Sequence, residues 1–430
     1  MGRAGTDRVV ITGLGIVAPN AVGLESYRKN LQVGVTGIKA IPELEELGFR
    51  CTVGGEPEME SDMLDTYLSA LQQKRIVASG VRYGVVAGLM AWTDSGMEVD
   101  KDSPRLPDTG VIMGAGMSGG DIYGAGVVKV NEGKVKRLGS ITCPNSMSSS
   151  SSAFLGGIIG AGNQVTTNAS ACASGTEALI LGADRIRMGY ADRMLCGACD
   201  SGSKYVRAGF DAMRVLNGKS NGQPEKASRP LSADAAGFVP GAGGGAYVLE
   251  RLSSARARGA RIYAEVLGGA VNSGGQREGG TMTAPNPRAI ESVIQSALKH
   301  AQVKASDIEL ISGHLTGTRF DPEEIKAWAR ALDRRGESFP YIQALKSLTG
   351  HALSAAGALE AVALSLQLYY GFLHPNANCE PIHPEILEVI DEASIPRKHR
   401  KVEMRTGITA SFGFGDVNAC AVLRALNTKQ

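Results

Sequence analysis

Cys172 is placed where a cysteine could act as a nucleophile. It lies in Ala171-Cys-Ala-Ser-Gly175, at the junction between a short predicted strand and a predicted helix. The unpaired N–H groups and the dipole at the start of a helix favour the thiolate form of such a side chain. The pattern therefore predicts a reactive thiol, although a small buried thiol between alanines fits this feature alone equally well.

Two histidines occupy similar junctions in the second half of the chain. His314 follows a predicted strand, and the carboxyl ends of strands are where α/β sheets present catalytic groups. His351 precedes a predicted helix, whose positive end disfavours the imidazolium, so that a neutral ring with an Nε2–H donor is expected. Each histidine alone is more often structural, but with Cys172 the two predict one shared active site.

Alternating strands and helices must position these residues. Predicted strands lie near 8–12, 110–113, 194–199, 262–267, 308–312 and 407–411, and predicted helices lie near 173–188, 287–300 and 352–370. This alternation favours an α/β fold. In each half a reactive residue precedes a helix rich in small residues, which predicts a duplicated fold with one shared site. We place the halves at residues 1–256 and 257–430.

Composition narrows the classes of function. The 45 basic and 43 acidic residues give a net charge of +2, so no general attraction to nucleic acid or anionic lipid is expected. No apolar run approaches the roughly 18 residues of a membrane span, and the first residues lack the apolar core of a signal peptide, so a cytoplasmic location is predicted. The seven cysteines are scattered, and Cys196 and Cys199 have no second ligand pair, so free thiols and no metal are expected.

Two glycine motifs suggest an alternative, a nucleotide-dependent oxidoreductase. Gly13-Leu-Gly15-Ile-Val-Ala18 and Gly114-Ala-Gly116-Met-Ser-Gly119 both follow predicted strands, as a dinucleotide-binding fingerprint does. The first runs into Pro19, and the second runs into the glycine-rich residues 120–126, which are predicted to be poor helix formers. Because the fingerprint needs a helix after its glycines, the nucleotide alternative is disfavoured.

Several motifs in order make the chain similar to a known family. They are Arg8-Val-Val-Ile-Thr-Gly-Leu-Gly15, Ala171-Cys-Ala-Ser-Gly175, Arg229-Pro-Leu-Ser-Ala-Asp-Ala-Ala-Gly-Phe238, Lys346-Ser-Leu-Thr-Gly-His351 and Ser411-Phe-Gly-Phe-Gly415. Over nearly its whole length the chain resembles an elongating, type II β-ketoacyl-acyl carrier protein synthase of the thiolase-like superfamily. The resemblance implies a duplicated α-β-α-β-α fold of two pseudo-symmetric halves with mixed five-stranded sheets. It also implies a homodimer with acyl carrier protein as partner, and no resident cofactor, because the carrier supplies the phosphopantetheine arm.

The resemblance implies a role for each site residue. Cys172 would carry the acyl group, while His314 and His351 would bind the malonyl thioester and promote its decarboxylation. The backbone N–H groups of Cys172 and Phe414 would form an oxyanion hole. The remaining implied roles are catalytic support by Lys346; a network of Glu360, Asp321 and Glu324; pantetheine binding by Thr316, Thr318 and Thr283; and an acyl pocket and gate of Met117, Phe412 and Phe414. Separately, the charges of Lys74, Arg75 and Arg82 suggest a basic patch that docks an acidic carrier protein, although a solvated helix face fits these residues at least as well.

The chain departs from the family pattern in two loops. In the family, His-Gly-Thr-x-Thr is followed by Pro and then by an acidic residue. This chain has His314-Leu-Thr-Gly-Thr-Arg-Phe-Asp321, with Leu315 in place of the Gly and one residue fewer before the acidic residue. The usual Gly-Phe-Gly-Gly-Thr-Asn is here Gly413-Phe-Gly-Asp-Val-Asn418. Since Cys172 and both histidines remain, we expect altered specificity with retained activity.

Two related classes remain as alternatives. A non-catalytic partner subunit that determines chain length would share the fold but should lack the nucleophile, which is present here. A degradative thiolase typically has a second cysteine near the C-terminal glycine loop, whereas Cys420 lies outside Gly413 to Gly415.

Overall fold

The computed structural model describes residues 8–100, 102 and 104–426. Its strands are β1 Val9–Ala18, β2 Ala21–Val22, β3 Ile38–Ala40, β4 Val53–Gly55, β5 Thr109–Ala115, β6 Val165–Thr166, β7 Arg193–Asp200, β8 Gly243–Arg251, β9 Ala264–Ser273, β10 Leu310–Ser312, β11 Tyr341–Gln343, β12 Phe372–Leu373, β13 Arg400–Lys401, β14 Thr406–Gly413 and β15 Val417–Arg424.

The α-helices are α1 Leu24–Val33, α2 Pro42–Glu46, α3 Ser61–Tyr67, α4 Ala70–Arg75, α5 Ser79–Asp94, α6 Gly120–Asn131, α7 Thr142–Ser146, α8 Ser150–Ile159, α9 Ser174–Arg187, α10 Lys204–Ala212, α11 Leu252–Ala257, α12 Pro287–Ala301, α13 Asp321–Leu332, α14 Lys346–Thr349, α15 Ala356–Tyr370 and α16 Pro384–Leu387. Short 3-10 helices span Val135–Arg137, Ala171–Ala173, Pro224–Lys226, Ala305–Asp307, Leu353–Ala355 and Glu392–Ser394.

The main sheet repeats one topology twice. In the first half the strand order is β6-β5-β7-β8-β1, and in the second it is β11-β10-β14-β15-β9. Numbered within its own half, each set reads third, second, fourth, fifth, first. In both halves the first two pairings of that order are parallel and the last two are antiparallel. The predicted duplication with mixed five-stranded sheets is therefore confirmed.

The two five-stranded sheets are also joined edge to edge, which the sequence did not predict. Val9 and Ile11 of β1 pair with Val266 and Ala264 of β9 in antiparallel register. With β2 paired to β1, the result is a single eleven-stranded sheet. The predicted division between residues 256 and 257 falls inside the short α11 that precedes β9, and where the two units divide stays a prediction.

Two helices fill the space between the sheets. α9 and α15 contact each other and both halves of the sheet, while α5 and α8 cover the outside of the first half and α12 and α13 cover the outside of the second. The crossing is close enough to require glycine, because a Cβ on Gly175 would lie 2.3 Å from the backbone nitrogen of Ala358. These contacts give the expected five layers, α-β-α-β-α.

The first glycine motif serves packing. β1 continues through Gly13 and Gly15 to Ala18, where the nucleotide alternative would require a turn into a helix. A Cβ on Gly13 would lie 2.1 Å from the carbonyl oxygen of Ala91, and one on Gly15 would lie 1.9 Å from that of Ala87. The glycines therefore let α5 approach β1, and this strand does not form a dinucleotide-binding turn.

The prediction that residues 120–126 form no helix is wrong, because they begin α6. A Cβ on Gly124 would lie 2.3 Å from the ring of Tyr205 on α10. The missing side chain, which lowers helix propensity locally, is what lets α10 pack against α6. Tertiary packing therefore overrides the local preference.

Among the described residues, no helix is both long enough and apolar enough to cross a bilayer.

Replacing Gly175 with alanine tests the central crossing. The added methyl group would overlap backbone atoms of α15, so we expect Gly175→Ala to lower the free energy of unfolding by about 1–3 kcal/mol. The matched control is Gly209→Ala in α10, where a Cβ meets nothing within 4 Å, and which should instead raise stability by about 0.5–1 kcal/mol. Urea unfolding measures both variants, and an unchanged Gly175→Ala midpoint would contradict the close crossing.

Candidate active site

Cys172 lies in a tight turn at the start of α9. Ala171 has a positive φ of 49° and opens the 3-10 helix that carries Cys172. Ser174 Oγ accepts a hydrogen bond from the Ser170 N–H at 3.0 Å and donates one to the Ala171 carbonyl at 2.7 Å. These bonds hold the turn, and the sulfur of Cys172 is buried at the start of α9.

The second half contains the equivalent turn. Leu353 has a φ of 50° and opens the 3-10 helix before α15, so Ser354 takes the place of Cys172. The Ser354 hydroxyl lies 2.7 Å from a carboxylate oxygen of Asp200, and it accepts the N–H of Gly116 at 2.9 Å. This copy of the turn therefore has a structural role, while its neighbour His351 lines the same cavity as Cys172.

One cavity of about 220 Å³ brings the predicted residues together. Those that line it are Cys172, His314, His351, Thr283, Thr316, Thr318, Phe412 and Phe414. Nine other residues also line the cavity and were given no site role by the sequence; they are Phe210, Val215, Phe238, Ala284, Pro285, Arg319, Phe320, Leu353 and Gly413. Phe238 ends one of the family motifs and Arg319 directly follows Thr318, so the sequence could have predicted that both line the cavity. No motif contains Phe210, so the sequence offered no reason to predict a site role for it.

The two histidine rings meet edge to face, with centroids 5.2 Å apart. The backbone N–H of Leu353 donates to Nδ1 of His351 at 3.2 Å, and Nζ of Lys346 lies 3.4 Å from Nδ1 of His314. Because an amide and an ammonium can only donate here, both Nδ1 atoms accept and both ring protons are assigned to Nε2. Each histidine therefore has an Nε2–H available as a donor to a substrate oxygen.

Both histidines are held neutral. Burial, followed by the charge of Lys346, lowers the pKa of His314 and of His351 well below the usual value of 6.5. The sequence predicted a neutral His351, and the direction agrees, although desolvation is the main cause. At neutral pH neither ring has a positive charge, so both act as hydrogen-bond donors.

The pKa of Cys172 differs from the expectation. The sequence predicted that the helix start would favour the thiolate, but burial raises the pKa of the thiol to about 11. The charge of Lys346 and a hydrogen bond from the Phe414 backbone act in the opposite direction and are outweighed. The resting side chain is therefore a neutral thiol, because desolvation destabilises the thiolate more than Lys346 and the Phe414 backbone stabilise it.

Gly413 leaves space beside the backbone N–H groups near the sulfur. A Cβ at this position would lie 3.1 Å from the nitrogen of Cys172 and 3.2 Å from that of Ala173. The backbone of Phe414, the next residue, already hydrogen-bonds the Cys172 thiol. The two N–H groups assigned to the oxyanion hole, those of Cys172 and Phe414, are therefore close to the same sulfur.

Lys346 is a buried charge at the centre of the site, with only 2% of its surface exposed. It forms a buried ion pair with Glu360. Burial nevertheless raises the pKa of Glu360 to about 7, because the Lys346 charge offsets only part of the desolvation. The network that was implied for Lys346 and Glu360 is a direct contact.

Two buried carboxylates hold the loop that follows His314. Glu324 accepts the N–H groups of His314 and Leu315 at 2.7 and 2.8 Å, and Asp321 accepts those of Thr316 and Gly317 at 3.0 and 3.1 Å. Desolvation, with the Asp321 charge as second cause, raises the pKa of Glu324 to about 8.

These contacts explain why Leu315 is tolerated where the family has glycine. The positive φ in this loop belongs to Gly317, at 75°, and Leu315 is not among the residues with positive φ. Its side chain is fully buried in the hydrophobic core of the second half. The substitution therefore needs no left-handed backbone.

Asp416, the other departure, connects two loops at the cavity. Its buried carboxylate accepts the N–H groups of Gln276 and Asn286 at 2.9 and 2.8 Å, and its backbone oxygen accepts that of Gly274 at 2.9 Å. Residues 274–286 contain Thr283, which lines the cavity together with Phe414. With a φ of 60°, Asp416 adopts a conformation that aspartate tolerates better than most residues. The carboxylate thus holds both loops together.

Met117 and the predicted basic patch lie outside the cavity that contains Cys172. Met117 does not line the Cys172 cavity; it is half exposed and lines a separate surface cavity of about 570 Å³ beside α6. Lys74 and Arg75 are exposed on α4, but the Arg82 guanidinium donates to the carbonyls of Ile76 and Gln73, so it is used internally. The roles given to Met117 and to the basic patch stay predictions.

In the part of the chain that the structure describes, no group of histidine, cysteine, aspartate and glutamate side chains could hold a metal ion. The described cysteines are all free thiols.

Comparisons with known proteins identify the class of protein that this fold and site define. Residues 6–255 match the beta-ketoacyl synthase N-terminal domain, and residues 263–380 match the beta-ketoacyl synthase C-terminal domain. The chain belongs to the beta-ketoacyl synthase family.

Relatives extend over nearly the whole chain. It is 31% identical over 426 residues to 3-oxoacyl-[acyl-carrier-protein] synthase 2 of Vibrio harveyi, covering 97% of this chain and 99% of the relative. It is 32% identical to the tetracenomycin polyketide synthase ketoacyl synthase alpha subunit of Streptomyces glaucescens, covering 98% of each. The solved ishigamide ketosynthase/chain length factor superposes with a TM-score of 0.87 at 28% identity, covering 98% of this chain and all of the other.

The buried ion pair predicts a strong dependence of stability on Lys346. Lys346→Met leaves the Glu360 carboxylate buried without its partner, so we expect a loss of about 3–5 kcal/mol in the free energy of unfolding. In the double variant Lys346→Met/Glu360→Gln no charge is stranded, and much of the stability should return. Denaturant unfolding of the two single variants and the double variant gives the coupling, and additive losses would contradict the pairing.

Proposed function

We propose that this protein is a 3-oxoacyl-[acyl-carrier-protein] synthase, which joins an acyl group and a malonyl group by decarboxylative Claisen condensation in fatty-acid or polyketide-type chain elongation. The observation that carries the proposal is the single cavity in which one thiol and two neutral imidazoles meet beside the two N–H groups of Cys172 and Phe414. The printed names of relatives, among them 3-oxoacyl-[acyl-carrier-protein] synthases, support the substrate class.

The first step loads the enzyme. The Cys172 sulfur attacks the carbonyl of an acyl thioester, and the carrier thiol leaves with the proton that the Cys172 thiol gives up. The negative oxygen that forms transiently is stabilised by the N–H groups of Cys172 and Phe414. A thiol with a pKa of about 11 loses its proton mainly as the attack proceeds, so the raised pKa protects the resting sulfur from other electrophiles.

The second step makes the new carbon–carbon bond. Nε2–H groups of His314 and His351 donate hydrogen bonds to the thioester oxygen of the malonyl group. The bond between the carboxylate carbon and the α-carbon of the malonyl group then breaks, and carbon dioxide is released. The electron pair left behind is held as an enolate by the two donors. The enolate carbon attacks the Cys172 thioester, the tetrahedral intermediate collapses, and the Cys172 thiolate leaves and takes up one proton from solvent.

The remaining substrate contacts follow the same cavity. Thr316 and Thr318, whose hydroxyls lie 3.1 Å apart, and Thr283 would hydrogen-bond the pantetheine arm. Phe412 and Phe414 would line the acyl pocket and its gate. We propose that the enzyme needs no resident cofactor, since the arm and both acyl groups arrive on the carrier protein, and that it works in the cytoplasm.

Intact-mass spectrometry after incubation with acyl carrier protein thioesters tests the nucleophile. The wild-type chain should gain one acyl mass, and Cys172→Ala should gain none and lose condensation by at least about a thousandfold, because no other side chain can carry the acyl group. Cys143→Ala removes an exposed thiol outside the cavity and is the control that should still acylate.

Two results of that experiment would oppose the proposal. Acylation of Cys172→Ala would place the acyl group on a different residue. A wild-type chain that never acylates, with any acyl length in the panel, would favour the runner-up function, a non-catalytic subunit that determines chain length in a heterodimer.

We also propose that the protein works as a homodimer. Exposed apolar side chains cluster on and beside α6, including Tyr123 and Val127 with exposures of 65% and 43%, and Met147 and Tyr205 adjoin the same surface cavity. Among the described strands, β6 pairs only with β5 and so forms an edge of the sheet. An apolar face beside an open strand edge is typical of a surface that a second chain covers.

Light scattering tests the oligomeric state. The wild-type protein should have twice the chain mass of 44.9 kDa, and Val127→Glu should shift it toward the monomer, since a charge would be buried in the interface. Val33→Glu adds the same charge at a 74% exposed position on α1 and should leave the dimer intact. A monomeric wild-type protein would contradict the proposal, and a stable complex only with a different subunit would replace it with a heterodimer.

A further inference from the structure

The cavity that contains Cys172 has an uneven distribution of charge. Its lining consists of apolar side chains, threonines, the thiol and the two neutral imidazoles, with Arg319 as its single permanently charged member. Within the described part of the chain, the Arg319 guanidinium takes part in no hydrogen bond or ion pair. Arg319 is exposed, whereas Cys172, His314 and His351 are buried, so the charge lies at the solvent end of the cavity and the reacting groups lie at its closed end.

One short loop runs from the reacting end to the charged end. Those of its residues that line the cavity go from the buried His314 through the partly exposed Thr316 and Thr318 to the exposed Arg319. Asp321 accepts the N–H groups of Thr316 and Gly317, so the backbone beneath Arg319 is fixed by buried hydrogen bonds. The cation therefore stands on a loop whose backbone is held in place, at the opposite end of the cavity lining from the buried imidazoles.

We propose that Arg319 binds the phosphate of the phosphopantetheine arm, and that it makes the site prefer phosphorylated over unphosphorylated pantetheine thioesters. The inference rests on the proposed function. The arm has a thioester at one end and a phosphate at the other, which matches a cavity with reacting groups inside and one cation at its mouth. A guanidinium suits this role because its fork of N–H donors fits two phosphate oxygens while the rest of the phosphate stays hydrated.

The sequence around this position supports a role particular to this chain. The usual family pattern has proline directly after His-Gly-Thr-x-Thr, and proline offers neither charge nor donor, whereas this chain has Arg319. The nearest acidic side chain along the loop, Asp321, is buried and engaged by backbone N–H groups, so it does not neutralise the guanidinium.

A matched pair of small substrates tests the proposal directly. The rate of Cys172 acylation is measured by intact mass with the same acyl group on pantetheine and on 4′-phosphopantetheine, at low salt. We expect the wild-type enzyme to react about fivefold faster per unit concentration with the phosphorylated ester, as an exposed ion pair allows. In Arg319→Ala the ratio of the two rates should fall to about one, and in Arg319→Lys it should be intermediate, because an ammonium keeps the charge but lacks the fork.

The control is Arg256→Ala, which removes an equal charge from the exposed face of α11, outside the cavity, and should keep the wild-type ratio. A preference for the phosphorylated ester that survives in Arg319→Ala overturns the proposal. So does an equal fall in Arg256→Ala, since the preference would then come from overall charge. If neither ester acylates wild-type Cys172 while the intact carrier substrates do, the arm alone is not recognised and the proposal falls. Failure of the intact carrier substrates would instead refute the proposed function.

Discussion

The ammonium of Lys346, buried between Glu360 and His314, is the interaction on which the chemistry of this site depends. One positive charge in a dry interior acts on every titratable group near it. It adds to burial in lowering the pKa of both histidines, offsets part of the desolvation that raises the pKa of Glu360 to about 7, and opposes the desolvation of the Cys172 thiol. Its hydrogen bond to Nδ1 of His314 also fixes the ring proton on Nε2. Burial and this charge together keep the histidines as neutral donors, while its own partner, Glu360, keeps the charge in place.

That charge reaches the thiol only because the two halves of the chain pack around a shared central layer. Gly175 of α9 and Ala358 of α15 approach so closely that a single methyl group would not fit between them. The crossing places the start of α9, with Cys172, near the start of α15, with His351. Since both helices begin with the same turn, marked by the positive φ of Ala171 and of Leu353, the duplicated fold offers two equivalent positions. Cys172, the proposed nucleophile, occupies one of them, and Ser354 occupies the other as a structural hydroxyl.

The two departures from the family pattern are accommodated in different ways. Leu315 fits because the left-handed residue of its loop is Gly317, and its side chain simply extends the core. Asp416 adds hydrogen bonds, because its carboxylate accepts backbone N–H groups from residues 274–286 and so connects them to the loop of Phe414. A tie of this kind restricts the relative movement of two segments that line the cavity, which gives a physical basis for the altered specificity expected from the sequence.

The sequence by itself determined the family, the duplication and most of the elements between residues 173 and 200, because these depend on local patterns and on motifs in a fixed order. It also singled out residues that the structure brings into one cavity. The predicted helix near 173–188 and strand near 194–199 correspond to α9 and β7 with shifts of about one residue. Tertiary structure decided the properties that depend on burial, such as the protonation state of Cys172. Cys172 is a neutral thiol although its local position favoured the thiolate, because desolvation depends on what packs over the sulfur. It also decided that residues 120–131 form a helix despite their glycines, and that Met117 lies outside the cavity of Cys172, because both follow from contacts with residues far away in the chain.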